Sequence, residues 1–445
     1  MDKISRGDLI ELDIDGVTSD GRGVGRADGL AVFVTGALPG EYVAARICAR
    51  KKNFAEASLV QVLEPALGRA VPSCPCYASC GGCSLQHADY KTELQLKQLI
   101  VQQSLRRLGA QDIDVPLPLA VEEPWGYRNR AVFHYEGGQL GFYDESSRQM
   151  TPLESCDLLM PALNELLLQA QKTLFAHKEE LPGLRAVVLR CDSTGRRKLV
   201  TFICDRSLPV LDSISEELVT KAEGLVSVWE SSGRQIYGAY GEKWRKLCGS
   251  GKLRDNVGPV RLDLSPASFL QVNPKQSIVL YDLVRGFAGL SGKEKVLDLY
   301  SGVGSIALYL APHAWQVRGV ESYAPAVDDA KANAVLNGAD NCSFYCGRAE
   351  DVLPRWAAAG LDFDVAILDP PRAGCDRRLL GAVAAIAPLR LVYVSCAPAT
   401  LARDLKILTA YGYTVDKLQL VDMFSRTCHV ECACLLSNKN VKPKD

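Results

Sequence analysis

The sequence predicts a multidomain protein of mixed architecture. A small β-barrel of OB type occupies residues 1–64, an α+β segment runs over 65–260, and a doubly wound α/β domain fills 261–445. Three observations predict this. Short alternating strands punctuated by glycine fill the first sixty residues. A tight cysteine group follows at Cys74–Cys83. A strand, a glycine-rich turn, a helix and a second strand ending in an acid then occupy residues 295–321.

A chain of 445 residues exceeds one ordinary hydrophobic core, so two or three domains are expected. The formal net charge of −1 supplies no global basic field, so contact with a nucleic acid must come from local patches. No apolar run approaches the length of a membrane span, and Met1-Asp-Lys-Ile-Ser-Arg-Gly-Asp8 shows no secretory signal. A cytoplasmic protein with reduced thiols is the expectation. In that setting clustered cysteines bind metal or do chemistry more often than they form disulfides.

Leu9–Ile14 alternates apolar and polar residues, and Ala31–Val34, Tyr42–Ile47 and Ala57–Leu63 read as further strands. Five short strands in about sixty residues suit a small closed barrel. Gly21-Arg-Gly-Val-Gly25 lacks the leading strand and following helix of a nucleotide loop, and reads as a glycine-rich hairpin. Arg46, Arg50, Lys51 and Lys52 form a basic cluster. Such clusters are ordinarily solvated faces, but on an OB-type barrel they are also candidate phosphate contacts.

In Cys74-Pro-Cys-Tyr-Ala-Ser-Cys80-Gly-Gly-Cys83, Cys74, Cys80 and Cys83 can face one centre, because the two glycines let the backbone wrap. Thiolates suit zinc or an iron–sulfur cluster alike. The fourth ligand is Cys76 or, better, Cys156. Residues 91–109 read as a helix ending at Gly109, and a second helix is expected from Leu158 to about Ala176. Trp125–Tyr135 mixes aromatics with Arg128 and Arg130. It reads as an ordinary strand with exposed arginines, or as a base-stacking and phosphate-holding stretch.

The third domain carries the chemistry. Lys295–Leu299 feeds Tyr300-Ser-Gly-Val-Gly-Ser305, and Glu321 ends the next strand. With Asp298 and the later Asp369-Pro-Pro, this order favours S-adenosylmethionine (SAM) over NAD. Leu391–Val394 is an apolar strand that delivers the thiol Cys396 to its carboxyl end, and Val365–Leu368 delivers Asp369 in the same way. Uracil C5 is a weak nucleophile. A thiolate added to C6 activates it, after which a base must remove the C5 proton. Cys396 suits the nucleophile, Asp369 a hydrogen bond to the ring, and Glu431 the base.

Five motifs then show a resemblance: Asp369-Pro-Pro-Arg-Ala-Gly374; Leu391–Cys396; Phe269-Leu-Gln-Val-Asn273; Asp422-Met-Phe through His429-Val-Glu431; and the Cys74–Cys83 group with Cys156 downstream. The chain resembles the RNA (uracil-C5) methyltransferases that install 5-methyluridine, in the branch carrying a TRAM barrel and an iron–sulfur cluster. The resemblance implies a Rossmann-like SAM domain, with Gln271, Tyr300, Glu321 and Asp369 lining the SAM site. It implies Cys396 as nucleophile, Glu431 as base, and a [4Fe–4S] cluster on Cys74, Cys80, Cys83 and Cys156. RNA is the implied partner, most of all 23S ribosomal RNA, with tRNA the alternative; a monomer and no membrane contact are expected. A non-catalytic RNA-binding protein and a small-molecule methyltransferase are the readings from other classes. Three positions depart from the family pattern. Ala397 stands where Asn usually follows the cysteine. Ser425-Arg426 replaces Pro-His, and Ser305 stands where Asn is common. These departures are expected to bear on the target more than on the reaction.

Overall fold

The computed structural model describes residues 4–109, 112–144 and 147–439. The chain divides into two compact units, neither continuous in sequence. The first comprises residues 1–121, 396–406 and 418–432; the second comprises 122–395, 407–417 and 433–445.

The first unit begins with five strands: β1 (Leu9–Val17), β2 (Gly23–Ala27), β3 (Leu30–Thr35), β4 (Tyr42–Arg50) and β5 (Phe54–Glu64). They close in the order β1-β2-β3-β5-β4, with β1 pairing β4 from Leu9↔Arg46 to Asp13↔Tyr42. Alternation along each strand sends Leu12, Ile14, Val32, Val34, Val43, Ala45 and Ile47 into one core. The Gly21–Gly25 stretch forms the β1–β2 hairpin, and Arg46, Arg50, Lys51 and Lys52 are all exposed.

Helix α1 (Tyr90–Ser104) follows, its start fixed by the Asp89 carboxylate accepting from the Thr92 amide at 2.7 Å. The expected helix to Gly109 is regular only to Ser104. Residues Leu105–Gly109 form one wider π-turn.

The second unit holds a mixed seven-stranded sheet built from β6 (Arg130–Glu136), β7 (Gln139–Tyr143), β8 (Met150–Pro152), β9 (Leu184–Cys191), β10 (Lys198–Cys204), β11 (Leu225–Tyr237) and β12 (Tyr240–Gly249). Its order is β12-β11-β10-β9-β6-β7-β8. Helices α2 (Pro161–Ala176) and α3 (Leu211–Lys221) belong to the same region. Helix α2 begins three residues later than the apolar pattern suggested. Pro161, which has no amide to donate, sits in its first turn. In the 125–135 stretch only Arg130 onward joins the sheet.

After a hairpin of β13 (Leu253–Val257) and β14 (Val260–Leu264) comes α4 (Pro274–Ala288). The remaining elements are β15 (Lys295–Leu299), α5 (Ser305–Leu310), β16 (Gln316–Glu321), α6 (Ala324–Asn337), β17 (Cys342–Cys346), α7 (Ala349–Ala358), β18 (Val365–Leu368), α8 (Arg377–Ile386), β19 (Arg390–Ser395), α9 (Pro398–Ala410), β20 (Tyr413–Val421) and β21 (Glu431–Asn438). Their sheet has the order β17-β16-β15-β18-β19-β21-β20. Strands β15, β16, β17, β18 and β19 pair in parallel. From β15 the chain runs outward to β17, then returns to the other flank at β18. The strand order therefore reverses between β15 and β18, where an open parallel sheet leaves a crevice at its carboxyl edge. Among the described residues no helix is long and apolar enough to cross a membrane.

Candidate active site

A cleft lies at that reversal point. Asp298, on β15, and Asp369, just after β18, face it together with Gln271, Tyr300, Ser301 and Gly302. The turn after β15 is tied down by its own backbone. The Ser301 amide donates to the Val320 carbonyl at 3.0 Å, and the Gly304 amide donates to the Ser301 carbonyl at 2.8 Å. Gly304 has φ +78°, and a Cβ there would lie 2.7 Å from Cζ of Phe344, so only glycine fits. Tyr300 holds φ +65°, a conformation a tyrosine keeps only where its surroundings impose it. Its hydroxyl donates to Oε1 of Glu350 at 2.8 Å, which anchors the ring.

Asp298 is buried. Its Oδ2 accepts from the Ala307 amide at 3.2 Å, while Oδ1 is buried with no hydrogen-bond partner. Burial, then the nearby Asp369 carboxylate, push the Asp298 carboxyl up to about 8. Desolvation raises Asp369 too. The Ser301 hydroxyl is a second orphaned polar atom in the same cleft. A cleft with a glycine turn, two carboxyls and two unmet polar atoms is suited to a ligand that brings donors and positive charge.

Glu321 ends β16 and buttresses the turn. Its Oε2 accepts from the Gly302 amide at 3.1 Å and its Oε1 from the Tyr323 amide at 2.7 Å. Gln271 reaches the cleft from the loop between β14 and α4. Arg190, fully buried on β9, donates to the Ser268 carbonyl of this loop at 2.7 Å. The Ser268 hydroxyl donates to Asp329 at 2.6 Å, and the Asn273 side chain caps α4. The sequence pattern gave no sign of Arg190, because a lone arginine in an apolar strand reads as an edge residue.

Cys396 is half-buried and follows the last residue of β19 directly. Glu431 is buried and opens β21. Both fall within the first unit, whereas Gln271, Tyr300, Glu321 and Asp369 fall within the second. The Ala397 carbonyl accepts from the Leu401 amide and the Thr400 hydroxyl, each at 3.0 Å, so this position joins the first turn of α9.

All sixteen cysteines are thiols. Cys74, Cys76, Cys80, Cys83 and Cys156 are half-buried, and the Cys80 amide donates to the Cys76 carbonyl at 2.8 Å. Among the described residues no three or more His, Cys, Asp or Glu side chains are placed to hold a metal ion. Of the expected ligand set, Cys74, Cys80 and Cys83 fall in the first unit and Cys156 in the second. Sequence spacing shows which thiols a wrapped loop could present, but not which way each Sγ points.

A family model described as tRNA (Uracil-5-)-methyltransferase matches residues 260–439, and a TRAM domain model matches residues 5–60. An RNA methyltransferase of Listeria innocua is 37% identical over 98% of this chain and 99% of its own. One of Bacillus cereus is 39% identical over 98% of this chain and 97% of its own. Among solved structures, the Pyrococcus abyssi tRNA (uracil-54, C5)-methyltransferase bound to S-adenosyl-L-homocysteine superposes with a TM-score of 0.77. It is 26% identical and covers 96% of this chain and 99% of that one.

Proposed function

The chain belongs to the RNA (uracil-C5) methyltransferase family, and on that premise we propose that it methylates uridine in RNA through a covalent adduct on Cys396. The observation that carries this reading is the cleft between β15 and β18, with the buried, unmet Oδ1 of Asp298 inside it. SAM fits it. Its α-amino, ribose hydroxyl and adenine amino groups are donors that the unmet oxygens of Asp298 and Ser301 could accept, and the carboxyls suit its positive charge. When bound, SAM supplies an electrophilic methyl group. Gln271, Tyr300 and Asp369 would hold it, and Glu321 keeps the turn in the shape that receives it.

The residues then divide the work. The Cys396 thiolate adds to uracil C6, and the ring electrons pass to C5. The C5–methyl bond forms as the sulfur–methyl bond breaks. Glu431 takes the C5 proton, the C5–C6 double bond returns, and the C6–S bond breaks to restore the thiolate. Asp369, which lines the cleft, would also hydrogen-bond the uracil edge. Thiolate donors suit the [4Fe–4S] cluster that the resemblance implies on Cys74, Cys80, Cys83 and Cys156. Cys156 falls in a different unit from the other three, so no step is derived through a cluster.

The resemblance to the family branch with a barrel and a cysteine cluster favours 23S ribosomal RNA as the target. The Pyrococcus abyssi relative, a tRNA enzyme whose whole chain aligns, favours tRNA as the second reading. Ribosomal RNA and tRNA from a strain lacking this protein should be offered separately with methyl-labelled SAM, and the products read by nucleoside mass spectrometry. Label as 5-methyluridine in ribosomal RNA is the expected result. Label in tRNA would transfer the target, and label in neither would remove the catalytic reading.

A further inference from the structure

Helix α1 buries two charged residues one turn apart. Glu93 and Lys97 are both fully shielded from solvent. Nζ of Lys97 donates to Oε1 of Glu93 at 2.7 Å, to Oδ1 of Asp422 at 2.5 Å and to the Phe424 carbonyl at 3.1 Å. Oδ2 of Asp422 accepts from the Tyr90 and Ser425 hydroxyls, each at 2.7 Å. Arg426 completes the group. Its amide donates to Oε1 of Glu93 at 2.8 Å, its guanidinium lies 3.6 Å from Oε2 of Glu93, and it stacks over the Tyr90 ring. Two buried carboxylates thus meet two cations.

This group grips the segment 422–430, which leads straight into Glu431. The Arg426 carbonyl accepts the amides of both Ser84 and Leu85 at 3.1 Å, and the Cys428 amide donates to the Ser84 hydroxyl at 2.8 Å. Arg426 itself holds φ +68°, a left-handed backbone that a non-glycine residue keeps only when its surroundings over-determine it. The over-determination is visible here in the amide, the carbonyl and the side chain at once. Ser425 and Arg426 both bond inside this network.

We propose that Glu93, Lys97, Asp422 and Arg426 form a charge lock that positions Glu431. The proposal rests on the reading of Glu431 as the base. None of the four lines the SAM cleft, so the lock acts on proton removal and not on cofactor affinity.

The test uses the full-length protein with Arg426→Gln, Glu93→Gln, Arg426→Lys and, as reference, Glu431→Gln. In Arg426→Gln and Glu93→Gln, hydrogen exchange should quicken in peptides covering 422–430 while the barrel peptides keep the wild-type rate. The kcat should fall on the order of 10- to 100-fold, the scale of a small misplacement of a reacting group. The KM for SAM should stay within about twofold, and RNA should accumulate in a denaturation-resistant adduct, as in Glu431→Gln. Arg426→Lys should recover most of the kcat. Unchanged exchange and kcat in Arg426→Gln would overturn the lock. So would exchange raised throughout the protein, which marks a role in folding alone. If Glu431→Gln traps no adduct while Arg426→Gln still loosens the segment and lowers kcat, the base assignment fails and the lock stands for another group on the same segment.

Discussion

Asp298 shows what single residues do in this protein. Its carboxyl is buried on β15 with one oxygen unmet, and burial lifts it to about 8. The folded chain therefore holds a proton that the unfolded chain releases near the ordinary aspartate value. Its contribution to stability is fully present below about pH 4 and is lost as pH rises through about 8. The urea midpoint without SAM should fall between pH 5 and pH 8, and Asp298→Asn should flatten that fall. An equal slope in the variant would place the proton elsewhere. Cys396→Ala should abolish turnover while SAM affinity, measured by calorimetry, stays at the wild-type value. Retained turnover would exclude the covalent route. Both residues could be found in the sequence, Cys396 as the thiol after an apolar strand and Asp298 as the acid in the strand that feeds the glycine-rich turn. Arg426 could be found only as an irregularity. Its pairing with Glu93 joins positions 333 apart, and no local pattern carries that information.

Helices and loops transmit these requirements. Asn273 caps α4 two residues after Gln271, so Asn273→Ala should cost about 1 kcal/mol of stability and also weaken SAM binding. Asp89→Ala, at the cap of α1, should cost a similar amount, about 1 kcal/mol, and leave SAM affinity unchanged. Equal SAM affinity in both variants would show that the cap does not shape the cleft. Lys97→Met would leave Glu93 and Asp422 buried without their shared cation. It should lower stability by about 3–5 kcal/mol, read from denaturant unfolding. At this scale the periodicity located four of the five barrel strands and helices α1 and α2. It placed the start of α2 too early, since apolar spacing does not register the missing amide of Pro161. It also continued α1 past Ser104, where the backbone widens before Gly109. The same pattern read Lys97 and Glu93 as ordinary helix residues, because burial of a charge depends on what packs against it.

Across the whole molecule, two compact units each take in distant pieces of chain. Residues 418–432 group with residues 1–121 through bonds such as Lys97 to Asp422, 325 positions apart. Composition shifts cannot reveal such a grouping, since it is made by long-range contacts alone. The uracil-5 methyltransferase family model matches residues 260–439, and an RNA methyltransferase relative aligns over 98% of the chain. The covalent adduct is the central claim built upon that family membership. The most direct test is tandem mass spectrometry of the nuclease-digested complex formed by Glu431→Gln with SAM and unmodified RNA. The expected product is a peptide in which Cys396 carries a C5-methylated uridine nucleotide. An adduct on any other cysteine, or no adduct from an enzyme that still produces 5-methyluridine, would contradict it.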